Sequence, residues 1–166
     1  YEISNFAQPG YACRHNIGYW TRENYLGLGL GASSLVENVR YTNTRQLYAY
    51  GEFCDHLREK SPAEFLKDGE HAVPEDLWIG SCVQEQAQIL TRKEQMEEFM
   101  FLGLRMRDGF YREEFTQAFG IPIEAVYGDA LNHLQQEELL LKREGRIYLT
   151  DKGMDLNNYV VAQFML

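Results

Sequence analysis

The residues best suited to chemistry lie in one short stretch, Cys13-Arg14-His15-Asn16-Ile17-Gly18-Tyr19-Trp20. The imidazole of His15 can bind a metal ion or form hydrogen bonds, and Asn16 adds an amide that donates and accepts. Tyr19 and Trp20 supply large, flat aromatic surfaces. A porphyrin needs an axial nitrogen ligand and flat apolar walls, so the stretch is compatible with a tetrapyrrole site.

The same stretch also suits a plainer role. A loop histidine is more often a hydrogen-bonded surface residue than a ligand, and aromatic rings often seal a loop onto a sheet. The residues alone favour this plainer role for His15, Tyr19 and Trp20. The sequence contains no Cys-x-x-Cys-His attachment motif, so any haem would be bound non-covalently.

A second stretch, residues 25–34, alternates apolar residues with Gly27, Gly29 and Gly31. It is not a phosphate-binding loop, because no Lys-Ser or Lys-Thr follows the glycines, and it lacks the spacing of a dinucleotide fingerprint. Two interpretations remain open. The glycines either allow a strand to pack tightly against another element or leave room for a cofactor or substrate.

Composition excludes several classes of partner. The chain of 166 residues has 16 basic and 25 acidic side chains and a net charge of −9, so we expect no nucleic-acid binding. No apolar run approaches the roughly 20 residues of a membrane span, so no transmembrane segment is predicted. Cys13, Cys54 and Cys82 form neither a disulfide framework nor a zinc pattern, which favours a reducing cytoplasm.

Periodicity predicts an α+β protein with a boundary near residue 91. The first part, residues 1–90, has a predicted strand over 1–6, a loop over 11–24 and a buried strand over 26–36. A helix from Thr44 follows, and a short strand is predicted at 87–90. The helix buries one face at a spacing of three and four, formed by Leu47, Tyr50, Cys54 and Leu57. A turn at Ser61-Pro62 and an exposed loop over 67–76 lie between that helix and the last strand.

The second part, residues 91–166, is predicted to be helical and to resemble a winged helix. A capping box at Thr91 and Glu94 starts its first helix. Two helices, a hairpin over 139–149 and a last helix from Thr150 through Phe164 follow. The predicted inward residues are Met96, Phe99, Met100, Leu104, Phe115, Ala118, Phe119, Tyr127, Ala130, Leu131 and Leu134. The helix over 124–136 has no lysine or arginine, which favours packing or partner docking over DNA binding.

Several motifs in order resemble the oxygen-independent coproporphyrinogen III oxidase family. They include Tyr1-Glu2-Ile3-Ser4-Asn5-Phe6-Ala7, then His15-Asn16-x-x-Tyr19-Trp20, the glycine run over 25–34, and Arg40-Tyr41-Thr42-Asn43-Thr44. Residues 97–105, together with Leu149-Thr150-x-x-Gly153 and Asn158-Tyr159-Val160, resemble the C-terminal domain of that family.

The resemblance implies a radical S-adenosylmethionine (SAM) protein, a partial α/β barrel with a [4Fe–4S] cluster held by Cys-x-x-x-Cys-x-x-Cys. The three cysteines of this chain cannot make that motif. We therefore expect the cluster ligands and the element that holds SAM to precede residue 1. Residues 1–90 would then supply the terminal barrel strands, with Gly29, Gly31 and Ala32 near the cofactor. The chain alone would not cleave SAM, which leaves open whether the complete protein is an enzyme.

The first motif resembles the haem chaperone branch of that family, in which it is associated with haem binding. The resemblance thus implies a haem site at His15, Asn16, Tyr19 and Trp20, with His15 as the axial ligand. Three functions remain open: delivery of haem to an acceptor protein, anaerobic oxidation of coproporphyrinogen III, and non-catalytic docking of a partner. An incomplete barrel would expose sheet edges, so a homodimer is a further expectation.

Overall fold

The computed structural model describes residues 1–59 and 84–166 and combines helices with small antiparallel sheets, which confirms the expected mixture. The turn predicted at Ser61-Pro62, the loop over 67–76 and Cys82 lie outside the described residues. The chain divides into two compact units. Tyr1–Glu23 and Thr91–Leu166 form what we call the flanking unit, and Asn24–Leu90 forms the middle unit.

The middle unit contains β1 (Ser33–Val36), β2 (Val39–Asn43), α2 (Leu47–Glu59) and β3 (Gln84–Ile89), with the strands in the antiparallel order β1-β2-β3. Glu37 and Asn38 join β1 to β2 with φ of 48° and 65°. Positive φ at both positions is typical of a two-residue type I′ turn, whose geometry matches the twist of the paired strands.

Several expectations about this unit are wrong. The buried strand predicted over 26–36 begins only at Ser33, since Gly29 and Gly31 have φ of 101° and 67°, which strands do not adopt. The helix begins at Leu47 rather than Thr44, and Leu47 is 68% exposed instead of facing inward. Tyr50 and Cys54 are half-buried, and the side chain of Leu57 lies outside what is described. The last strand starts three residues earlier than predicted.

The flanking unit starts with α1 (Arg14–Trp20) and continues after the middle unit with α3 (Arg92–Gly103). Next come β4 (Phe110–Tyr111), α4 (Arg112–Phe119) and α5 (Glu124–Gln136). The hairpin of β5 (Leu140–Arg143) and β6 (Arg146–Leu149) follows, and then α6 (Asp151–Asp155) and α7 (Asn157–Ala162). Its sheet has the antiparallel order β4-β6-β5.

The core of the flanking unit follows the predicted periodicity. The Thr91 hydroxyl accepts from the Glu94 N–H while the Glu94 carboxylate accepts from the Thr91 N–H, so the capping box is confirmed. Gly120 ends α4 with φ of 69°. The buried side chains include Met96, Met100, Leu104, Phe110, Phe115, Phe119, Ile123, Tyr127, Leu131, Leu134, Leu139, Leu140, Ile147, Leu149, Val160 and Phe164. Phe99 and Ala130 pack against them, whereas Ala118 is exposed, contrary to expectation.

Three segments of this unit differ from the sequence-based expectation. The predicted strand over 1–6 makes only an isolated bridge, Glu2 with Met106. The predicted loop over 11–24 contains α1. The predicted last helix is divided into α6 and α7, because Leu156 leaves helical geometry with φ of −102° and ψ of 25°. Within the described ranges, no helix has the length and apolar character needed to cross a bilayer.

Candidate functional site

The helix α1 separates the four predicted haem-binding residues into two pairs. Residues four apart lie on the same helix face, so His15 is paired with Tyr19 and Asn16 with Trp20. The side chains of the first pair are exposed, and those of the second pair are half-buried. One face of α1 therefore presents an imidazole and a phenol to solvent, and the neighbouring face contacts the rest of the flanking unit.

On the exposed face, the Tyr19 hydroxyl lies 2.8 Å from Nε2 of His15. The two rings meet edge to face, with centroids 4.8 Å apart. None of the described residues hydrogen-bonds Nδ1 of His15. Since a solvent-exposed hydrogen bond contributes only about 1 kcal/mol, Tyr19 orients the imidazole without preventing it from binding a metal ion.

On the contacting face, Asn16 Nδ2 donates to the Tyr1 hydroxyl at 2.9 Å. The guanidinium of Arg105 stacks over the Trp20 ring, 4.6 Å from its centroid. Just after the helix, Arg22 Nε lies 3.2 Å from a Glu98 carboxylate oxygen, and both side chains are about nine-tenths buried. These contacts join α1 to the first residue of the chain and to α3.

Trp20 also lines a cavity of about 510 Å³ within the flanking unit. Phe99 and Phe110 form apolar parts of its wall, and Arg22 and Glu114 contribute polar groups. His15 and Tyr19 are not part of this lining. The structure therefore brings Trp20 to an apolar cavity and leaves the candidate iron ligand on the open surface of α1.

The second candidate set, Gly29, Gly31 and Ala32, lies in the middle unit. The Gly29 N–H donates to the Tyr50 hydroxyl at 2.8 Å, and the Gly31 N–H donates to the Thr44 carbonyl at 3.2 Å. The Ala32 N–H donates to the Gly29 carbonyl. These backbone donors are already used within the unit, and a cofactor role for the three residues stays a prediction.

Gly27 has a packing reason to be glycine. A Cβ at this position would lie 2.2 Å from the Ser33 carbonyl oxygen, closer than any side chain can approach. The buried amide of Asn43 donates to the carbonyls of both Gly27 and Gly29, at 3.0 Å each. Hydrogen bonds from Asn43 and to Tyr50 thus hold the backbone of the glycine segment, while the side chains of Leu26, Leu28 and Leu30 are exposed to solvent.

The cysteines do not fit an iron–sulfur cluster. Cys13 is exposed and Cys54 is half-buried, while Cys82 lies outside the described residues. Their separations of 41 and 28 residues exclude the Cys-x-x-x-Cys-x-x-Cys pattern. Across residues 1–59 and 84–166, no three or more His, Cys, Asp or Glu side chains are grouped for metal binding.

An open groove of about 730 Å³ lies beside the hairpin of β5 and β6. It is lined by Arg107, Arg143 and Arg146 but also by Asp108, Glu144 and Asp151. Because the basic and acidic side chains balance, the groove offers no strongly charged surface to an anionic partner.

Sequence analysis missed Glu2 and Arg105 as part of the site. The Glu2 carboxylate is fully buried and lies 3.1 Å from the Arg105 guanidinium that covers Trp20. A separation of 103 residues leaves no local signal for this pair. Burial of Glu2 would have been the clue, but it is a property of the folded chain.

Comparison with known proteins agrees with the predicted resemblance. Residues 90–156 match the family described as HemN C-terminal domain. The chain is 36% identical over 166 residues to "Heme chaperone HemW" of Lactococcus lactis subsp. lactis (strain IL1403), covering 100% of this chain and 37% of that protein. It is 32% identical over 165 residues to "Heme chaperone HemW" of Bacillus subtilis (strain 168), covering 99% and 38%.

A solved structure supports the fold. The structure titled "Coproporphyrinogen III oxidase (HemN) from Escherichia coli is a Radical SAM enzyme" aligns with a TM-score of 0.53 and 16% identity, over 86% of this chain and 28% of that one. The chain spans little more than a third of the length of the two curated relatives described above. The predicted relationship is therefore confirmed: this chain contains a HemN C-terminal domain and is a homologue of the proteins named heme chaperone HemW.

Proposed function

We propose that this chain binds haem on the exposed face of α1, as part of a haem chaperone that passes its cargo to an acceptor protein. His15 would ligate the iron, and the ring of Tyr19 would lie beside the macrocycle. The observation that carries the proposal is an exposed imidazole, oriented by Tyr19 at 2.8 Å, on a helix whose other face is anchored.

The residues present fit a porphyrin cargo. Imidazole is a common axial ligand of haem iron, and aromatic rings favour contact with a flat macrocycle. The site is open rather than enclosed, and tight small-molecule sites bury most of their ligand. An exposed face therefore suits a carrier, because a partly buried haem is easier to release to an acceptor.

Asn16 and Trp20 would serve the site indirectly. Their contacts with Tyr1 and Arg105 support a role in holding α1, while His15 and Tyr19 face solvent. The family resemblance predicts all four residues as haem-binding, and this division of roles refines that prediction.

Haem titration of the chain tests the proposal directly. We expect a shifted Soret band on binding, and about a tenfold loss of affinity in His15→Ala, because the axial bond to nitrogen is removed. His133→Ala is the matched control, since His133 is also exposed and lies 3.5 Å from a tyrosine hydroxyl, that of Tyr159. Equal affinity in His15→Ala and the unmodified chain would remove His15 from the site.

Radical chemistry would belong to the complete protein. A [4Fe–4S] cluster and SAM would be held by residues outside this chain, because its cysteines have the wrong spacing. The alternative of coproporphyrinogen III oxidation draws no specific support from the described residues. Docking of a partner by the winged-helix-like tail draws none either, since the groove beside its hairpin is balanced in charge.

We further propose that residues 1–90 supply the terminal strands of a partial barrel and a connecting segment, and that residues 91–166 form a winged-helix-like domain. The order of helices and hairpin in α4, α5, β5 and β6 supports the second part. The exposed side chains of Leu26, Leu28 and Leu30 on a well-anchored segment support the first, since such a row is normally covered.

Dye binding tests the barrel proposal. Replacing Leu26, Leu28 and Leu30 together with serine should remove about half of the 8-anilinonaphthalene-1-sulfonate (ANS) fluorescence of this chain, because ANS reports exposed apolar surface. Leu141→Ser, at an exposed leucine of the flanking unit, is the control. In the complete protein the triple replacement should leave ANS fluorescence unchanged. A similar loss in both proteins would show that nothing covers the segment.

A further inference from the structure

The helix α1 depends on tertiary contacts for its stability and position. It has only seven residues, and the Cys13 side chain makes no capping hydrogen bond at its start. Isolated helices shorter than about 12 residues are marginal in water, so most of their stability comes from tertiary packing. The contacts made by Asn16, Trp20 and Arg22 must therefore fix the direction in which His15 and Tyr19 point.

Among these contacts, the one between Arg105 and Trp20 involves the largest side chain of α1. The guanidinium carbon lies 4.6 Å from the centroid of the indole ring, within the range of a cation–π interaction. Trp20 is the last residue of the helix, at the end opposite to the Cys13 cap. Holding this end limits the tilt of the whole helix.

Arg105 is itself held firmly. Its guanidinium donates to the Glu2 carboxylate at 3.1 Å and to the Ser4 hydroxyl at 2.6 Å. The Glu2 carboxylate also accepts from the Ser4 N–H and the Asn5 side chain. Burial alone would raise the pKa of Glu2, but hydrogen bonds from Asn5, Ser4 and Arg105 outweigh it and lower the pKa. The carboxylate thus stays charged at neutral pH.

We propose that Arg105 is a positioning residue for the haem-binding face of α1, acting through Trp20 and not through contact with haem. The proposal rests on the function proposed above. An arginine is required because its planar guanidinium stacks on the indole while its N–H groups bind Glu2 and Ser4. The compact ammonium of lysine keeps the charge but cannot do both.

Arg105→Lys is the test, and Arg146→Lys is the matched control. Arg146 stacks over Tyr111 at 4.3 Å and lies 4.0 Å from the Asp108 carboxylate, so it makes the same kinds of contact far along the sequence from α1. Amide hydrogen exchange in α1 provides a readout that does not depend on haem. We expect exchange of the α1 amides about fivefold faster in Arg105→Lys, with α4 unchanged, and no such effect on α1 in Arg146→Lys.

Haem titration of the same variants supplies the second readout. Arg105→Lys should weaken haem binding about fivefold and shift the Soret band, while Arg146→Lys should match the unmodified chain. Unchanged α1 exchange, or faster exchange spread evenly over the flanking unit, would overturn the proposal. Failure of the proposed function gives a different result, namely unchanged haem affinity in His15→Ala. In that case the exchange measurement still shows whether Arg105 holds α1.

Discussion

Gly109→Ala is expected to lower the free energy of unfolding of the flanking unit by about 3–5 kcal/mol. Gly109 has φ of 60°, which costs an L-residue about 1–2 kcal/mol. A Cβ would also lie 1.9 Å from the Ile147 carbonyl oxygen and 2.7 Å from the Tyr148 side chain. The added methyl group must therefore push the segment before β4 away from β6. Urea denaturation of the variant measures the loss.

The control for this prediction is Gly120→Ala. Gly120 has a similar φ of 69°, but a Cβ there would meet nothing within 4 Å. We expect a loss of about 1 kcal/mol, from the backbone conformation alone. If the two variants lose the same stability, the close approach of Gly109 to β6 makes no energetic contribution and the prediction is wrong.

Phe115→Ala is expected to cost a similar amount, about 3–5 kcal/mol. Phe115 is fully buried, and its ring contacts Phe99, Phe119 and Tyr127 with centroid separations of 5.4, 4.7 and 6.0 Å. Truncation removes these aromatic contacts and leaves a cavity where α3, α4 and α5 meet. For a unit of this size, the melting temperature should fall by about 15–25 °C.

Phe101→Ala provides the comparison, because Phe101 is on α3 but is 38% exposed. A change within about 0.5 kcal/mol is expected there, as for most surface replacements. A melting temperature for Phe115→Ala within a few degrees of that for Phe101→Ala would show that the aromatic cluster is not the centre of the core.

The C-terminal elements could be predicted because their signals are local. The Thr91 capping box and the Gly120 stop lie within a few residues of the helix ends that they define. The inward positions in α5 repeat at helical spacing, with Leu131 and Leu134 both buried. In this region, the hydrophobic pattern and the tertiary packing agree.

The helix α1 could not be predicted for the opposite reason. Its seven residues include Gly18, Tyr19 and Trp20, none of which is a strong helix former, and no capping side chain marks its start. Gly18 is buried, and a Cβ there would lie 3.0 Å from the Glu23 carboxylate. Tertiary contacts decide the conformation of this segment, and those contacts join residues far apart in sequence.

The glycine segment shows a similar limit. Alternating leucines and glycines predicted a buried strand, but the positive φ at Gly29 and Gly31 bends the chain away from strand geometry. Residue types identified His15 and Tyr19 as chemically interesting, and helix geometry separated them from Asn16 and Trp20. The sequence pattern could not reveal which of the four face solvent.

The pairing of Glu2 with Arg105 also sets an order of events during synthesis. A ribosome adds about 5–20 residues per second, so Arg105 emerges roughly 5–20 s after Glu2. Throughout that interval the nascent segment lacks Arg105, the side chain that contacts both Glu2 and Trp20 in the folded chain. The contact between Trp20 and Arg105 can therefore form only after residue 105 has been translated, and α1 reaches its described position no earlier than that.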